Sequence, residues 1–479
     1  MRNLLLAGLA LLSLGACTIV GPDYTRPTVE MPAEWIVSYD AAANLVNTAW
    51  WQQFDDPVLD ELITTALTNN LDIKAATARV DQFLGQYRTT HAEFFPQIGA
   101  AANAYRQKDS ETGQYPGDDS SYSSYQGALS ATWEIDLWGR IRRANEAAQA
   151  EILASEAGRR TVLLTLVSNV AGNYLVLRGL DRQLEIARET ERAYAESLRI
   201  FNLRHDHGTV SQVEVSQVES EYEQARQTIP QLEAQIAQQE YLISLLLGRN
   251  PQAIPRGKKI DELTVPGIPA GLPSDLLEQR PDIIRAEQSL IAANARIGVA
   301  RALYFPRLAL TGTSGTASAH SDDLFNGSSA IWQLGGDVVA PIFTFGAIEG
   351  QVMTAEAAQR EALVRYQQSI IAGFRDVEDA LVATTKGREV EAAKGRRVGA
   401  LQTYAKLAGY QYDAGTTGYL QVLDANRSLF SGQLDYVQTQ AAVLTSLVDV
   451  YRAMGGGWIN EAEKQMATAT GTSGENSTP

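Results

Sequence analysis

Residues 70–73 (NLDI) and 95–96 (FP) recur further along the chain as residues 280–283 (RPDI) and 305–306 (FP). Both steps are 210 residues (280 minus 70, and 305 minus 95). Later matches pair Gly208 with Gly415 and Gly248 with Gly455, each 207 residues apart. A long internal repeat decides the architecture, because each copy is one supersecondary unit. We therefore expect two equivalent halves that differ by three residues in one loop between positions 96 and 138.

Composition excludes several classes of function. The chain has 479 residues, of which 45% are hydrophobic, and a formal net charge of −16. This balance is ordinary for a folded protein but excludes nucleic acid as a partner, because phosphate binding needs a basic face. His205 and His207 lie two residues apart and point away from each other on a helix, so they make a poor metal pair. With no nucleophile–base pair or phosphate loop, we expect no enzyme, no cofactor and no metal.

The N-terminus has the features of a bacterial export signal. Arg2 precedes a short apolar run at residues 4–12, followed by residues 14–17 (LGAC). The run is too short to span a bilayer, so residues 1–16 are predicted to be a signal peptide. Cys17, the only cysteine in the chain, fits a lipobox, and we predict that it becomes the lipidated first residue. The alternative is a buried free thiol.

Two proline-free stretches predict very long helices, at about 139–207 and 346–413. In the first, apolar residues step by four and three along one face, as in a seam between helices: Leu163, Val167, Val170, Tyr174 and Leu177. Each rod ends in a Gly-Thr turn, at 208–211 and 415–418, since glycine stops a helix. A second helix then returns from each turn. Pro230 is expected to bend or break the first returning helix.

Strands are predicted before each rod, at about 97–107 and 126–137, and at about 307–317 and 331–342. Residues 129–137 alternate apolar with polar side chains, and the matching stretch in the second half does the same. One apolar and one polar face over about ten residues suits a transmembrane β-strand. After the signal there is no run of 18 apolar residues, so a membrane crossing has to be made by strands. The alternative for these strands is a soluble sandwich.

The predicted layout is a lipidated segment (17–56), a first repeat (57–248), a proline-rich linker (249–272), a second repeat (273–455) and a tail (456–479). The fold class is mainly α, with a duplicated helix-strand-strand-long helix-helix unit and a membrane β-barrel part. Four strands per chain cannot close a barrel, and unpaired strand edges are not tolerated in lipid. Two chains supply eight strands and three supply twelve, so several copies are required.

The chain resembles the lipoprotein branch of the outer-membrane factor family, the TolC-like exit ducts of tripartite efflux pumps (NodT/OprM-like). The resemblance runs from Cys17 to Trp458. It is carried by residues 21–24 (GPDY), 51–57 (WQQFDDP), 280–283 (RPDI), 292–295 (AANA), 423–425 (LDA) and 455–458 (GGGW).

The resemblance implies a homotrimer in the bacterial outer membrane, with a 12-stranded barrel continued by a periplasmic α-helical barrel. The N-terminal segment, linker and tail are then an equatorial belt. A periplasmic membrane-fusion adaptor and an inner-membrane transporter of RND type are the implied partners, beside outer-membrane lipid. The implied function is a passive duct for small molecules such as drugs; heavy-metal efflux and type I protein secretion share this design. Two further alternatives are a structural coiled-coil lipoprotein and a lipid-anchored envelope enzyme.

The candidate site residues lie near the Gly-Thr turns. Asp424 is two helical turns past Gly415, and similar family members place a ring of this aspartate at the closed periplasmic end. Gln421 stands where some members carry a second acid. The family docks its adaptor at the helix tips, which here are Gly208, Thr209, Gly415 and Thr416. The alternative for Asp424 is an ordinary exposed helix acid.

Aromatic residues cluster near the predicted strand ends. They are Trp133, Trp138, Trp332, Phe343 and Phe345. Two interpretations remain open: a girdle at the membrane interface, and packing where strand turns into helix.

Overall fold

The structure, a computed structural model, describes residues 19–29, 32, 35–37, 41–42, 49–110, 112, 121–269, 276–455, 459–460 and 462–463. The predicted signal peptide (1–16), Cys17 and most of the tail (456–479) lie outside the described residues.

The described residues form two halves with the same element order. The first half contains α1 (Pro57–Asn69), α2 (Leu71–Ala92), β1 (Gln97–Lys108), β2 (Ser121–Ile135), α3 (Arg140–Asp206) and α4 (Gln212–Leu246). The second half contains a short helix (Leu276–Gln279), α5 (Pro281–Ala302), β3 (Arg307–Ser318), β4 (Ala330–Val339), α6 (Ala347–Asp413) and α7 (Tyr419–Ala453). The rods α3 and α6 have 67 residues each, and the returning helices α4 and α7 have 35 each. The predicted duplicated unit is therefore confirmed.

Between the halves, the described part of the linker, residues 249–269, contains a 3-10 turn at Ile260–Glu262. Its two-residue strand Ile268–Pro269 pairs in parallel with Ala41–Ala42 of the N-terminal segment.

The four long strands form one antiparallel sheet in the order β1-β2-β3-β4. Gln97 faces Thr132 in the first hairpin, and Arg307 faces Val339 in the second. The facing residues are thus 210 apart on the leading strands and 207 apart on the following ones. Both hairpins therefore have the same register, and the three extra residues lie in the loop between β1 and β2.

Two strand boundaries differ from the sequence prediction. β2 runs from Ser121 to Ile135 rather than from 126 to 137, because pairing with β1 extends it into residues that lack apolar alternation. At its end, the Leu137 amide donates to the Ile135 carbonyl in a turn. β4 ends at Val339, where its pairing with β3 ends, rather than at 342 as predicted.

Residues of the chain divide into two compact units. The first comprises Met1–Thr28, Arg79–Glu156 and Arg285–Gln367, and it contains the sheet. The second comprises Val29–Ala78, Ala157–Ile284 and Gln368–Pro479, and it contains both Gly-Thr turns.

The core of the second unit is built around the 3-10 helix Trp50–Phe54. The Trp50 ring is fully buried and stacks on Tyr451, with 5.1 Å between ring centroids. All five residues of the seam predicted on α3 are buried in the same cluster, which confirms that face as a helix-packing surface.

In both halves, one side chain joins the start of a 22-residue helix (α2 or α5) to the end of the returning helix (α4 or α7). Asn70 Nδ2 donates to the Leu246 carbonyl of α4 (2.8 Å), and its Oδ1 accepts from the first amides of α2. At the equivalent position, Arg280 Nη1 donates to the Ala453 carbonyl of α7 (2.9 Å). Both side chains satisfy carbonyls that a helix end leaves without partners. Arg280 also pairs with Asp376 of α6 at 3.2 Å.

An N-terminal strap, residues 19–26, crosses the first unit. The Val20 amide donates to the Trp138 carbonyl (3.0 Å), and the Pro22 carbonyl accepts from Asn294 of α5 (2.9 Å). Arg26 makes a bidentate pair with Glu287, at 2.7 and 2.6 Å. Two-point guanidinium–carboxylate contacts combine charge with fixed geometry, so the strap has a defined position.

The prediction for Pro230 was wrong in one respect, because α4 runs unbroken through this residue. Its neighbours explain the continuity: Leu232 is buried in a cluster with Phe430 and Val437 of α7, and Ile229 packs against that cluster. Helix packing on both sides of the missing amide offsets the lost hydrogen bond.

Among the described helices, α3 alone contains a stretch long and apolar enough to cross a membrane, and 67% of that stretch is buried inside the protein. Core helices of soluble proteins pass the same test, so this stretch is weak evidence for a membrane span.

Candidate functional site

The first Gly-Thr turn is a glycine-terminated helix end. Gly208 adopts a φ of +69°, which glycine reaches without steric cost. The Thr209 amide donates to the Arg204 carbonyl (2.9 Å) and the Gly208 amide to the His205 carbonyl (2.8 Å). This is the Schellman arrangement. The Thr209 hydroxyl also donates to the Arg204 carbonyl, at 2.8 Å.

The second turn repeats the first almost atom for atom. Gly415 has a φ of +70°, and the Thr416 amide and hydroxyl both donate to the Gln411 carbonyl at 2.9 Å. The glycine and threonine predicted as docking residues are therefore used to shape each tip. His205 contributes as well, since its Nδ1 lies 3.1 Å from the Val210 carbonyl. The described residues contain no cluster of three metal-ligating side chains.

The halves differ in how the returning helix begins. Ser211 caps α4 in a capping box with Glu214, each side chain bonding the backbone amide of the other. The equivalent residues of α7 are Gly418, which has no side-chain cap, and Gln421. Gln421 Oε1 instead accepts from the Thr417 hydroxyl. The predicted gate residue Gln421 is thus the neutral counterpart of a helix-capping glutamate.

An aromatic cluster beneath the turns holds them together. The ring centroids of Phe201 and Tyr419 lie 4.1 Å apart, and those of Tyr412 and Tyr419 lie 5.0 Å apart. The Arg204 guanidinium lies over Phe201 and donates to the Tyr412 hydroxyl at 3.0 Å. Aromatic pairs of this kind add about 0.5–1.5 kcal/mol beyond their buried area. The tips are therefore packed structures.

Equivalent apolar side chains stay exposed around the two turns. Leu203 and Val213 flank the first turn, and Tyr410 and Leu420 flank the second, each more than half exposed. Each pair of equivalents is 207 residues apart in the sequence. Sequence analysis missed these four residues. They could have been found because apolar side chains recur at the same positions on either side of each Gly-Thr pair.

Asp424 lies on the first part of α7 and lines a cleft of about 730 Å³ together with Gln421. Its carboxylate is half exposed and accepts from Arg427 Nη2 at 2.9 Å. Arg427 also lies 4.0 Å from Glu221 of α4. The cleft thus holds two acids with one arginine between them, a combination that sequence analysis did not find. The spacing of three residues between Asp424 and Arg427 could have predicted their ion pair, because residues i and i+3 are neighbours on a helix surface.

Glu221 is the less solvated of the two acids. Its pKa is raised, first by burial and further by the charge of Asp424, while Arg427 opposes the rise. Nearby, burial raises the pKa of the Tyr194 hydroxyl. Among the described residues that hydroxyl has no hydrogen-bond partner, a costly state for a buried polar group.

The aromatic residues near the strand ends divide between the two interpretations. The indole of Trp133 donates to the Phe94 carbonyl (2.9 Å). That of Trp138 donates to the Pro306 carbonyl (2.8 Å), while its ring stacks on Phe305 at 4.6 Å. Both contacts are packing within the chain. The other three aromatics are largely exposed: Trp332, Phe343 and Phe345.

Comparison with known proteins places the chain in a family. The outer membrane efflux protein family matches residues 62–249 and 272–456. The chain is 36% identical over 458 residues to the solvent efflux pump outer membrane protein SrpC of Pseudomonas putida, covering 94% of this chain and 97% of that protein. It is 34% identical over 453 residues to the cation efflux system protein CusC of Escherichia coli O6:H1, covering 93% and 97%.

Solved structures agree with this placement. A membrane protein from Pseudomonas aeruginosa superposes with a TM-score of 0.86 at 33% identity, over 92% of this chain and 98% of that one. The open state of the Neisseria gonorrhoeae MtrE outer membrane channel superposes with a TM-score of 0.84 at 30% identity, over 92% of this chain and 98% of that one. The chain therefore belongs to the outer membrane efflux protein family and is an efflux channel of the outer membrane.

Proposed function

We propose that the chain works as a homotrimer, a passive exit duct that a periplasmic adaptor couples to an inner-membrane transporter of RND type. The observation that supports this most is the sheet, which has one apolar face and whose outer strands, β1 and β4, pair on their outer edges with no other strand that the structure describes. Exposed residues of the apolar face include Ile98, Leu129, Trp332 and Leu334. Lipid tolerates such a face but no free strand edge, so neighbouring copies must pair the edges.

Three copies fit this requirement better than two. Two copies would give eight strands, a barrel whose interior fills with side chains; three give twelve and a wider lumen. The polar face, with Ser130, Thr132, Glu134 and Asp337, would line that lumen. Purified protein in mild detergent is expected to have about three times the 52.1 kDa mass of the chain. A monodisperse monomer would contradict the proposal.

The exposed apolar pairs at the tips are the proposed docking surface for the adaptor. Leu203 with Val213, and Tyr410 with Leu420, present the same pattern in each half. The Gly208-Thr209 and Gly415-Thr416 turns hold these side chains in place. An apolar surface on a rigid helix end suits a partner that inserts its own apolar residues between such pairs.

Asp424 is the proposed gate residue at the periplasmic end, where threefold symmetry would bring three copies around one axis. The pairing with Arg427 makes the charge of this gate smaller than a ring of free aspartates would carry. Gln421 contributes a neutral amide one turn earlier.

Lipidation at Cys17 would anchor the chain in the inner leaflet of the outer membrane. Ile19, two residues later, lies so close to Gly139 that a Cβ built there would be 2.8 Å from the Ile19 side chain, and the Val20 amide donates to the Trp138 carbonyl. Mass spectrometry of the mature N-terminus should find an acylated cysteine. An unmodified peptide spanning residues 16 and 17 would refute lipidation at Cys17.

Small organic molecules such as drugs are the proposed substrates, in line with the similarity to SrpC. Metal-ion efflux is the second candidate, favoured by the similarity to CusC. Copurification from the native host should recover the adaptor and transporter, and the transporter's identity separates the two candidates. The purified protein should conduct ions when it is inserted into planar bilayers. A non-conducting trimer would favour a structural lipoprotein instead.

A further inference from the structure

A cleft in the second unit is lined mainly by cationic side chains. It has a volume of about 410 Å³ and lies between the middle of α3 and the linker. Two of its lining residues are acids, Asp181 and Glu185, and six are cations: Arg178, Arg182, Arg188, Arg192, Arg256 and Lys259. This excess of positive charge stands out in a chain whose formal net charge is −16. We call this feature the arginine cleft.

The spacing of residues on α3 builds one wall of the arginine cleft. Arg178, Arg182, Arg188 and Arg192 are separated by four, six and four residues. At 3.6 residues per turn, these positions fall within about 120° of the helix circumference. The linker builds the opposite wall with Arg256 and Lys259. Like charges are therefore concentrated from two segments that are distant in the sequence.

The two acids of the cleft are each shared between cations of both walls. Asp181 accepts from Arg178 at 2.5 Å and from Arg256 at 2.8 Å. Glu185 accepts from Lys259 at 2.8 Å and from Arg182 at 2.6 Å. These hydrogen bonds lower the pKa of the Glu185 carboxyl, that from Lys259 first and that from Arg182 second. Neither acid has capacity to neutralise the remaining cations.

Three acids outside the cleft take up part of the excess charge. Their pairs are Arg188 with Glu233 at 2.7 Å, Arg256 with Glu240 at 2.6 Å, and Arg182 with Asp261 at 3.4 Å.

Arg192 is the cation that remains. Its Nε donates to the Arg188 carbonyl at 3.1 Å, and it pairs with no acid in the part of the chain that the structure describes. Among the same residues, Nη2 of Arg178, Nη2 of Arg182 and Nη1 of Arg188 also have no partner. Arg178 is only 6% exposed, so its guanidinium is fixed in the wall. The arginine cleft thus combines an unpaired cation with guanidinium donors that are not used inside the chain.

The internal duplication shows that the fold does not require this cluster. The equivalent positions on α6 lie 207 residues later, and two of them are glycines: Thr385, Glu389, Gly395 and Gly399. The rod α6 has the same length as α3 and the same place in its half. A cluster needed to build or pack a rod would be present in both copies. The arginines therefore belong to a property that only the first half has.

We propose that the arginine cleft is a binding site for the phosphate group of a small molecule. Guanidinium groups bind phosphate through paired N–H donors and keep their charge at any physiological pH. A phosphate monoester carries about 1.5 to 2 negative charges at pH 7 and three acceptor oxygens. It can therefore accept from Arg192 and from the free nitrogens of the neighbouring arginines together.

Charge and size favour a phosphate ester over a simple carboxylate. A carboxylate offers two oxygens and one negative charge, and Asp181 and Glu185 already supply that chemistry to the cleft. The volume of about 410 Å³ is within the range of small-molecule sites. It leaves room for an organic group beside the phosphate. A bound phosphate would join α3 to the linker, because the cations that contact it come from both walls.

Calorimetric titration of the full-length protein in detergent tests this site. The probes are inorganic phosphate and glycerol 3-phosphate, in chloride buffer at pH 7.5 and constant ionic strength. We expect saturable binding of one phosphate group per chain, weakened when the salt concentration is raised. Arg192→Gln should weaken binding about tenfold or more, since hydrogen bonds to charged groups are the strong ones. Lys259→Gln should weaken binding from the opposite wall.

Arg199→Gln is the matched control. Arg199 lies on the same helix, is 65% exposed and pairs with Glu196 outside the cleft, so this variant makes the same change of charge. Arg199→Gln should bind phosphate as wild type does. All variants should keep the helical signal and the mass of the wild-type protein, because Arg192 is exposed and makes no ion pair within the described residues.

The possible results differ in what they say. Loss of binding in Arg192→Gln but not in Arg199→Gln supports the site. Tighter binding of glycerol 3-phosphate than of inorganic phosphate supports an ester as the ligand, and equal binding supports free phosphate. Equal weakening by Arg192→Gln and Arg199→Gln would show non-specific attraction and overturn the proposal. Citrate binding as tightly as either phosphate, or no saturable binding of phosphate by wild type, would overturn it as well.

Discussion

The charges around Asp424 give a prediction that separates a gate from an ordinary surface acid. Each copy of the cleft holds Glu221, Asp424 and Arg427, a local net charge of −1 when all three are ionised. Asp424→Asn changes this to 0, Arg427→Gln changes it to −2, and the double variant returns it to −1. If the cleft faces the conducting path, cation selectivity should follow that order.

The magnitude follows from simple electrostatics. In water, a unit charge acts on an ion 4 Å away with about 1 kcal/mol, which is about fivefold in local cation occupancy. We therefore expect Arg427→Gln to raise cation selectivity and Asp424→Asn to lower it, by up to about this factor per charge. Stability should change by less than about 1 kcal/mol, because the carboxylate and guanidinium are 50% and 60% exposed.

The assay is the reversal potential of the purified channel in planar bilayers under a salt gradient. At low salt, Arg427→Gln should be the most cation-selective and Asp424→Asn the least, with the double variant matching wild type. Near 1 M salt the differences should shrink, since the Debye length falls to about 3 Å. Identical reversal potentials for all four proteins would place Asp424 away from the constriction. A double variant that behaves like Asp424→Asn would refute the role given to Arg427.

Burial raises the pKa of Glu221, so acidification should protonate it at a higher pH than an ordinary glutamate and thereby weaken cation selectivity. Glu221→Gln should not show this loss of selectivity. The same pH dependence of selectivity in wild type and Glu221→Gln would contradict a role for Glu221 in the cleft. Arg280→Met removes the hydrogen bond to the Ala453 carbonyl and the ion pairs with Asp282 and Asp376, although Asp376 keeps its pair with Arg375. We expect a loss of about 1–3 kcal/mol in thermal or urea unfolding, less than for a fully buried pair because both carboxylates are slightly more than one third exposed. The exposed pair of Arg365 is the control, where Arg365→Met should cost under about 1 kcal/mol. Leu420→Asp should abolish efflux in a complementation assay without changing trimer mass, whereas Leu420→Met should not; full activity of Leu420→Asp would exclude docking at that tip.

Much of the fold was accessible from local patterns. The repeats at 70–73 and 280–283 predicted two equivalent halves, and the change of offset placed the extra residues in a loop. Both hairpins confirm that assignment through their shared register. Alternation predicted β2, but its start at Ser121 was missed. Residues there have no apolar periodicity, and the hydrogen bonds of β1 hold them in the strand.

Local rules failed where packing outweighs them. Proline inside a helix costs about 3 kcal/mol or more, so an interruption at Pro230 was a reasonable expectation. The contacts of Leu232 with α7 keep α4 continuous. Similarly, the matching Gly-Thr pairs indicated equivalent tips, but not that one tip has a capping box and the other a neutral Gln421.

The sequence by itself determined the duplication, the element order, the Gly-Thr tips and the family, because these depend on residue types at short spacing and on repeated motifs. Only the tertiary structure decided which partners the charged residues take. Arg427 meets Glu221, and Arg280 meets Asp376, across helices that are distant in the chain. Such contacts depend on the rotation and packing of whole helices, which no short pattern of residues encodes.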